Sequence, residues 1–128
     1  MKNLIVDATR DKIFLTLIVS ENIYTCSHEN SKINFSKLIV LINDLLKANS
    51  SSLDQIDVIY VNRGPGSFAG IRNSLATIKA LFLTKKINYY CFSFKDFTGF
   101  EKAEYEEVPS LCEKFKIKKN LINPIYLS

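Results

Sequence analysis

Residues 57–85 read D-V-I-Y-V-N-R-G-P-G-S-F-A-G-I-R-N-S-L-A-T-I-K-A-L-F-L-T-K, a strand, a glycine turn and a helix in immediate succession. Val58, Ile59, Tyr60 and Val61 are β-branched or aromatic, as in a buried strand, and the apolar positions from Ile71 to Phe82 recur at helical spacing. Gly64, Gly66 and Gly70 are three of the four glycines in the chain, so backbone freedom is concentrated where strand becomes helix. Pro65 stiffens the middle of that turn. At 128 residues and 47% apolar composition the chain is expected to form one domain around a single core.

Three strand candidates precede this unit, at 3–7, 12–19 and 22–26, joined by turns short enough to make them antiparallel neighbours. The polar stretch 27–33 reads as a loop. Asn34 or Ser36 is then placed to cap a helix running to about Ala48, which the serine run 50–52 ends. Beyond the central helix, 87–92 reads as a fifth strand, 94–100 as a short helix, 101–107 as an exposed acidic stretch and 109–119 as a helix beginning at Ser110. Residues 124–127 read as an extended tail pressed onto the fold. Right-handed crossovers from strand three to four and from four to five give a mixed five-stranded sheet of order 3-2-1-4-5. The two main helices, about 35–48 and 70–84, then lie side by side on one face. The segment after Phe92 is left to cover the other.

The net charge of +4 is spread along the chain as lysine, which favours solubility over direct nucleic-acid binding. Cys26, Cys91 and Cys112 have no metal-ligand spacing and read as reduced, mostly buried thiols. His28 is the only histidine, so no metal site is expected. Asp7 interrupts the first apolar run too early for a signal peptide, and no segment has the length of a membrane span. A cytoplasmic protein without membrane contact is expected.

The helices carry more apolar surface than one sheet face requires. In the first, Phe35, Leu38, Ile39, Val40, Leu41, Ile42, Leu45 and Leu46 leave little polar surface. The second places small residues, Ala69, Gly70, Ser74, Thr77 and Ala80, among large ones. Exposing three or four Leu or Ile side chains, each worth roughly 1.5–3 kcal/mol when buried, would be costly, so a partner surface is expected. The alternative is that the helices bury these residues against each other and the C-terminal segment.

Read with its flanks, R-G-P-G-S-F-A-G-I-R-N-S-L-A-T-I-K-A-L at 63–81 resembles the signature of the TsaB (YeaZ) family, G-P-G-S-F-T-G-L-R followed by a helix with L-A-T-A-K. The opening L-I-V-D-A-T at 4–9, the helix L-I-V-L-I-N-D-L-L at 38–46 and the tail N-P-I-Y-L-S resemble further family segments. Ala69 stands for the family threonine, Asn73 and Ser74 for an apolar residue and a glycine, and D-A-T for D-T-S. The resemblance implies an actin-like, ribonuclease-H-like half-fold over 1–93 and an abbreviated remnant of a second half over 94–128. It also implies a non-catalytic subunit that binds and activates a TsaD-like partner in making threonylcarbamoyladenosine on tRNA, with tRNA touched only through the complex. Pairing in the family runs through the helical face. Here that corresponds to Phe35, Leu38, Ile39, Ile42 and Leu46 on the first helix and Phe68, Ala69, Gly70, Arg72, Asn73, Ser74 and Thr77 on the second. Without the partner the same face is expected to form a homodimer.

Other residues admit catalytic readings. Asp7 ends the first strand, where actin-like ATPases hold a metal-bound phosphate, and a structural or vestigial role is its alternative. The glycine turn, Arg63, Gly64, Pro65, Gly66 and Ser67, lies at a helix N-terminus and could cradle a phosphate between Arg63 and Arg72. It lacks the lysine and Ser/Thr pair of a P-loop, and the other reading is a tight turn for close helix packing. Ser67 has no base near it in sequence. Lys114, Lys116, Lys118 and Lys119 read as a solvated face, with RNA contact as the alternative. A second class of function, a small nucleotide-binding or phosphotransfer enzyme using Asp7 and the glycine turn, stands beside the scaffold, as does a homodimeric relic without a partner. No cofactor is expected.

Overall fold

The computed structural model describes residues 1–126. Its sheet has the order β3-β2-β1-β4-β5, with β1 (Lys2–Asp7), β2 (Lys12–Val19), β3 (Asn22–Glu29), β4 (Val58–Asn62) and β5 (Asn88–Phe92). The first three strands are antiparallel; β4 runs parallel to both β1 and β5. Val6 sits opposite Leu15 on one side and Val61 on the other, which explains why the middle of β1 is an unbroken apolar run.

Alternation along the strands sends Leu4, Val6, Leu15, Leu17, Ile59, Val61, Tyr89 and Cys91 into one core. There they meet α2 (Leu38–Ala48) and α3 (Phe68–Lys85), which touch each other as well as the sheet. Ile5, Tyr60 and Phe92 point the other way and are covered by Phe97, Val108, Leu111 and Cys112 from the C-terminal segment. Both main helices therefore share one face, as the crossover rule requires.

Several boundaries differ from the sequence reading. Strand β3 continues to Glu29 because Lys12, Ile13 and Phe14 of β2 remain available to pair with 27–29. The first helix is broken: α1 (Lys32–Ser36) is capped by Ser31, whose side chain accepts from the Asn34 amide, and Lys37 separates it from α2. Where a short helix is expected over 94–100, the chain makes only a 3-10 turn, Phe94–Asp96; another, Tyr105–Glu107, leads into α4 (Val108–Lys114). Pro109 sits in the first turn of α4, where its missing N–H costs nothing. That helix stops at Lys114, because Lys116 takes a left-handed backbone and the Ile117 amide turns back to the Cys112 carbonyl. The tail lies along the β5 edge, with the Asn120 amide on the Tyr89 carbonyl and the Ile125 amide on the Arg63 carbonyl. Leu127, part of the expected extended tail, falls outside the described residues. Among the described residues no helix is long and apolar enough to cross a membrane.

Buried acids on both faces give the fold an alkaline limit. Burial pushes the Tyr60 hydroxyl up to about 12, the Cys91 thiol up to about 11 and the Cys112 thiol up to about 12. Folding thus favours their protonated forms, and that stability is complete below the unfolded values near 9 and 10 and disappears as pH rises through 11–12. Melts followed by circular dichroism are expected to lose stability progressively between pH 9 and 12, with a shallower loss for Cys112→Ala; an equal slope in that variant would rule out the thiol's share.

Candidate functional site

Asp7 ends β1 and its side chain is almost wholly buried, 1% exposed. The D-A-T sequence makes a local turn there: Asp7 Oδ1 accepts from the Thr9 amide at 3.0 Å and from Thr9 Oγ1 at 2.7 Å. Oδ2 accepts from Asn62 Nδ2 at 3.0 Å and from the Tyr105 hydroxyl at 2.6 Å. Asn62 ends the neighbouring strand β4 and passes the connection on, its Oδ1 accepting from the Gly64 amide at 2.9 Å. Tyr105 also accepts from Arg10 Nη2 at 2.8 Å, and this bond is the main cause that raises the Arg10 guanidinium above its ordinary value. Burial, followed by the charge of Asp7, holds the Tyr105 hydroxyl well above the usual phenol range.

Beside this centre opens a cleft of about 460 Å³ lined by Asp7, Arg10, Asn62, Lys95, Lys102 and Tyr105 among others. A carboxylate offers about four lone-pair sites, and here four donors already use them. A cation or a metal-bound phosphate at Asp7 would have to displace Tyr105 or Asn62, so the residues present do not fit the group that an actin-like fold suggests. Among the described residues no group of three or more His, Cys, Asp or Glu side chains is placed to hold a metal ion.

The glycine turn packs tightly against the exit of β1. The Gly64–Pro65 peptide is cis, and Gly64 has φ +114°, a conformation that side chains rarely adopt. The Ser67 amide donates to the Thr9 carbonyl at 2.8 Å, and Ser67 Oγ caps α3 by accepting from the Gly70 amide at 3.2 Å. Arg63 turns away from the helix N-terminus and grips Asp96 through two bonds, the shorter 2.6 Å, and the Asn123 carbonyl at 3.0 Å. Arg72 lies over the exposed Phe68 ring, 5.8 Å from its centroid. The residues read as a phosphate cradle thus lie as follows: Arg63 is held by Asp96 and the Asn123 carbonyl, Arg72 lies over the Phe68 ring, and Ser67 caps its own helix.

The helical face divides the expected partner residues. Phe68, Ala69, Arg72 and Ile39 are exposed, and Phe35, Asn73 and Thr77 are half-buried. Leu38, Ile42, Leu46, Gly70 and Ser74 are buried inside the chain, which corrects their assignment to an outer surface. The cause is double burial: α2 packs on the sheet and on α3 at once, so its wide apolar arc is mostly core. Ile33 at 67%, Val40 at 53% and Leu83 at 59% exposure lie outside the partner positions expected from the sequence, because only the packing shows which side faces outward. Tyr105 and Arg10 do not follow from the sequence either; a lone tyrosine inside an acidic stretch is their one local signal.

The family model described as TsaD, tRNA N6-adenosine threonylcarbamoyltransferase, matches residues 29–93. The tRNA threonylcarbamoyladenosine biosynthesis protein TsaB of Buchnera aphidicola subsp. Baizongia pistaciae is 37% identical over 65 residues, covering 44% of this chain and 29% of that protein. Among solved structures, YeaZ from Pseudomonas aeruginosa matches with a TM-score of 0.68 and 18% identity, over 80% of this chain and 49% of that one. A further structure, with similarity to peptidase YeaZ from Pseudomonas aeruginosa, gives 0.69 and 19% over 82% and 49%. Thermus thermophilus RuvC gives 0.54 and 12% over 92% and 82%. Structural likeness at such identities speaks for the fold, here the actin-like and ribonuclease-H-like arrangement. The chain spans about half the length of the solved YeaZ-like structures and 29% of the Buchnera protein.

Proposed function

The chain belongs to the family of TsaD and TsaB/YeaZ proteins, and from that premise we propose that it is a non-catalytic subunit serving threonylcarbamoyladenosine modification of tRNA. Its task is to bind and activate a TsaD-like catalytic partner through the outer face of its helices, meeting tRNA only within the complex. The observation that carries this reading is the apolar surface there: Ile33, Ile39 and Val40 are exposed on α1 and α2, and α3 exposes Ala69, Ala76 and Ala80 together with Phe68, whose ring meets Tyr126 of the tail at 4.6 Å between centroids. Apolar side chains alongside small ones allow a partner helix to approach closely and lose water. The matched stretch 29–93 contains all three of these helices. Against an enzyme of its own stand the saturated Asp7 carboxylate and the committed Arg63. Alone, the chain is proposed to close the same face on a second copy.

Ala69→Arg tests this at an exposed position on α3. Surface substitutions away from special features stay within about 0.5 kcal/mol, so the melting midpoint is expected to be unchanged. A bulky charge in the contact should abolish capture of the TsaD-like protein from the same cell and turn a homodimer into a monomer in light scattering. A variant that still binds and activates the partner at wild-type strength would refute the helical face.

A further inference from the structure

We propose that the Asp7–Tyr105 hydrogen bond is a latch by which the chain holds its own C-terminal segment over the second face of the sheet. It takes for this purpose the carboxylate oxygen that would otherwise look into the neighbouring cleft. The inference does not depend on the partner reading, since the latch and the helices lie on opposite faces.

Three observations support it. Among the described residues, 97–115 make backbone hydrogen bonds only to near neighbours in the chain, such as Ala103 to Phe100, Glu107 to Glu104 and Phe115 to Leu111. Among the described residues, the side-chain hydrogen bonds that join this stretch to the strands and their turns are those of Tyr105, to Asp7 at 2.6 Å and from Arg10 at 2.8 Å. The tie is also a charge-assisted one, donated to a buried carboxylate, and such bonds are about twice as strong as neutral ones. Finally, the Tyr105 ring is held by Phe14 of β2 at 6.1 Å and by Phe94 at 6.0 Å between centroids, so the hydroxyl is aimed before the bond forms. Arg10 completes the relay: its guanidinium lies 4.8 Å from the Phe14 centroid, covering the Tyr105 site from outside while donating to the hydroxyl. Asp7 is thus a positioning residue for the segment that carries Val108, Leu111 and Cys112 onto Ile5, Tyr60 and Phe92.

Local opening of that segment is read by trypsin at the exposed Lys102, because cleavage follows the population of the open form when closing is fast. Removing one hydrogen bond to a charged group should raise that population, and Tyr105→Phe is expected to speed cleavage at Lys102 about 10- to 100-fold. Cleavage at Lys79 in α3 should not change. Asp7→Asn should give a rise of similar size, and the double variant should fall well short of the product of the two. An unchanged rate in Tyr105→Phe, or effects that multiply, overturns the latch. Should Tyr105→Phe not fold, the wild-type chain still decides: its Tyr105 hydroxyl proton should be visible by NMR and protected from water exchange, and a freely exchanging proton overturns the proposal. Titration of the wild-type chain with magnesium ATP is expected to leave Asp7 and Asn62 unshifted. Binding there that is lost in Asp7→Asn would mean that the carboxylate is free for a ligand, and would overturn it too.

Discussion

Gly70→Ala is expected to destabilise the chain by about 3 kcal/mol or more, at the upper end of what overpacking produces. A Cβ at this position would lie 1.8 Å from the Ala8 carbonyl oxygen, 3.0 Å from its carbon and 3.2 Å from Asn30 Nδ2. The first two are backbone, and that backbone is fixed from both sides. Asp7 and Thr9 form the turn on one side, and the Ser67 amide donates to the Thr9 carbonyl on the other. Asn30 adds a further restraint, donating to the carbonyls of Ala8 and Arg10. Relief would require α3 to move off the sheet, taking the buried Ile71 and Ser74 with it. Helix propensity alone predicts the opposite sign, because alanine in a helix is favoured over glycine by about 1 kcal/mol. Urea unfolding with an unchanged slope separates the two, and an equally stable or more stable variant would refute the close packing of the turn on β1.

The same contact explains why so much of the fold was legible in the sequence. A strand, three glycines and a helix within thirty residues force one element to fold directly back on another, and short turns with right-handed crossovers then leave the order 3-2-1-4-5. Less legible were features that depend on what packs from a distance. Strand β3 gains its last residues from the length of its partner β2. The apolar excess of α2 looked like three or four surplus side chains, yet only Ile39 and Val40 remain exposed, because Leu38, Leu41, Ile42, Leu45 and Leu46 are shared between the sheet and α3. Hydrophobic periodicity reports how much of a helix is apolar but not how many neighbours it has. Tyr105 shows the limit in another way. Its partner Asp7 is ninety-eight residues away, and nothing local in an acidic stretch marks one hydroxyl as the donor to a buried carboxylate.

Ser74→Arg is expected to destabilise the chain strongly. The Ser74 side chain is wholly buried, and its hydroxyl donates to the Ile71 carbonyl at 3.1 Å, so it makes no demand on a partner. An arginine there would overfill a packed site and place an unpaired charge in it, a combination that costs about 3–5 kcal/mol and threatens folding outright. At roughly 3–5 °C per kcal/mol for a domain of this size, the melting midpoint should fall by at least about 10 °C, and loss of partner binding would follow from unfolding rather than from a blocked contact. Ser74→Ala isolates the polar part: the Ile71 carbonyl belongs to the helix ladder, so losing one extra donor should cost less than about 1 kcal/mol. Ala69→Arg places the same new side chain one and a half turns earlier on an exposed position, where folding is expected to survive and only docking to be lost. The pair therefore distinguishes the inner from the outer side of one helix. If Ser74→Arg melted with the wild type while losing its partner, α3 would have to present Ser74 outward in solution, and both its burial and the packing of Gly70 on Ala8 would be wrong together.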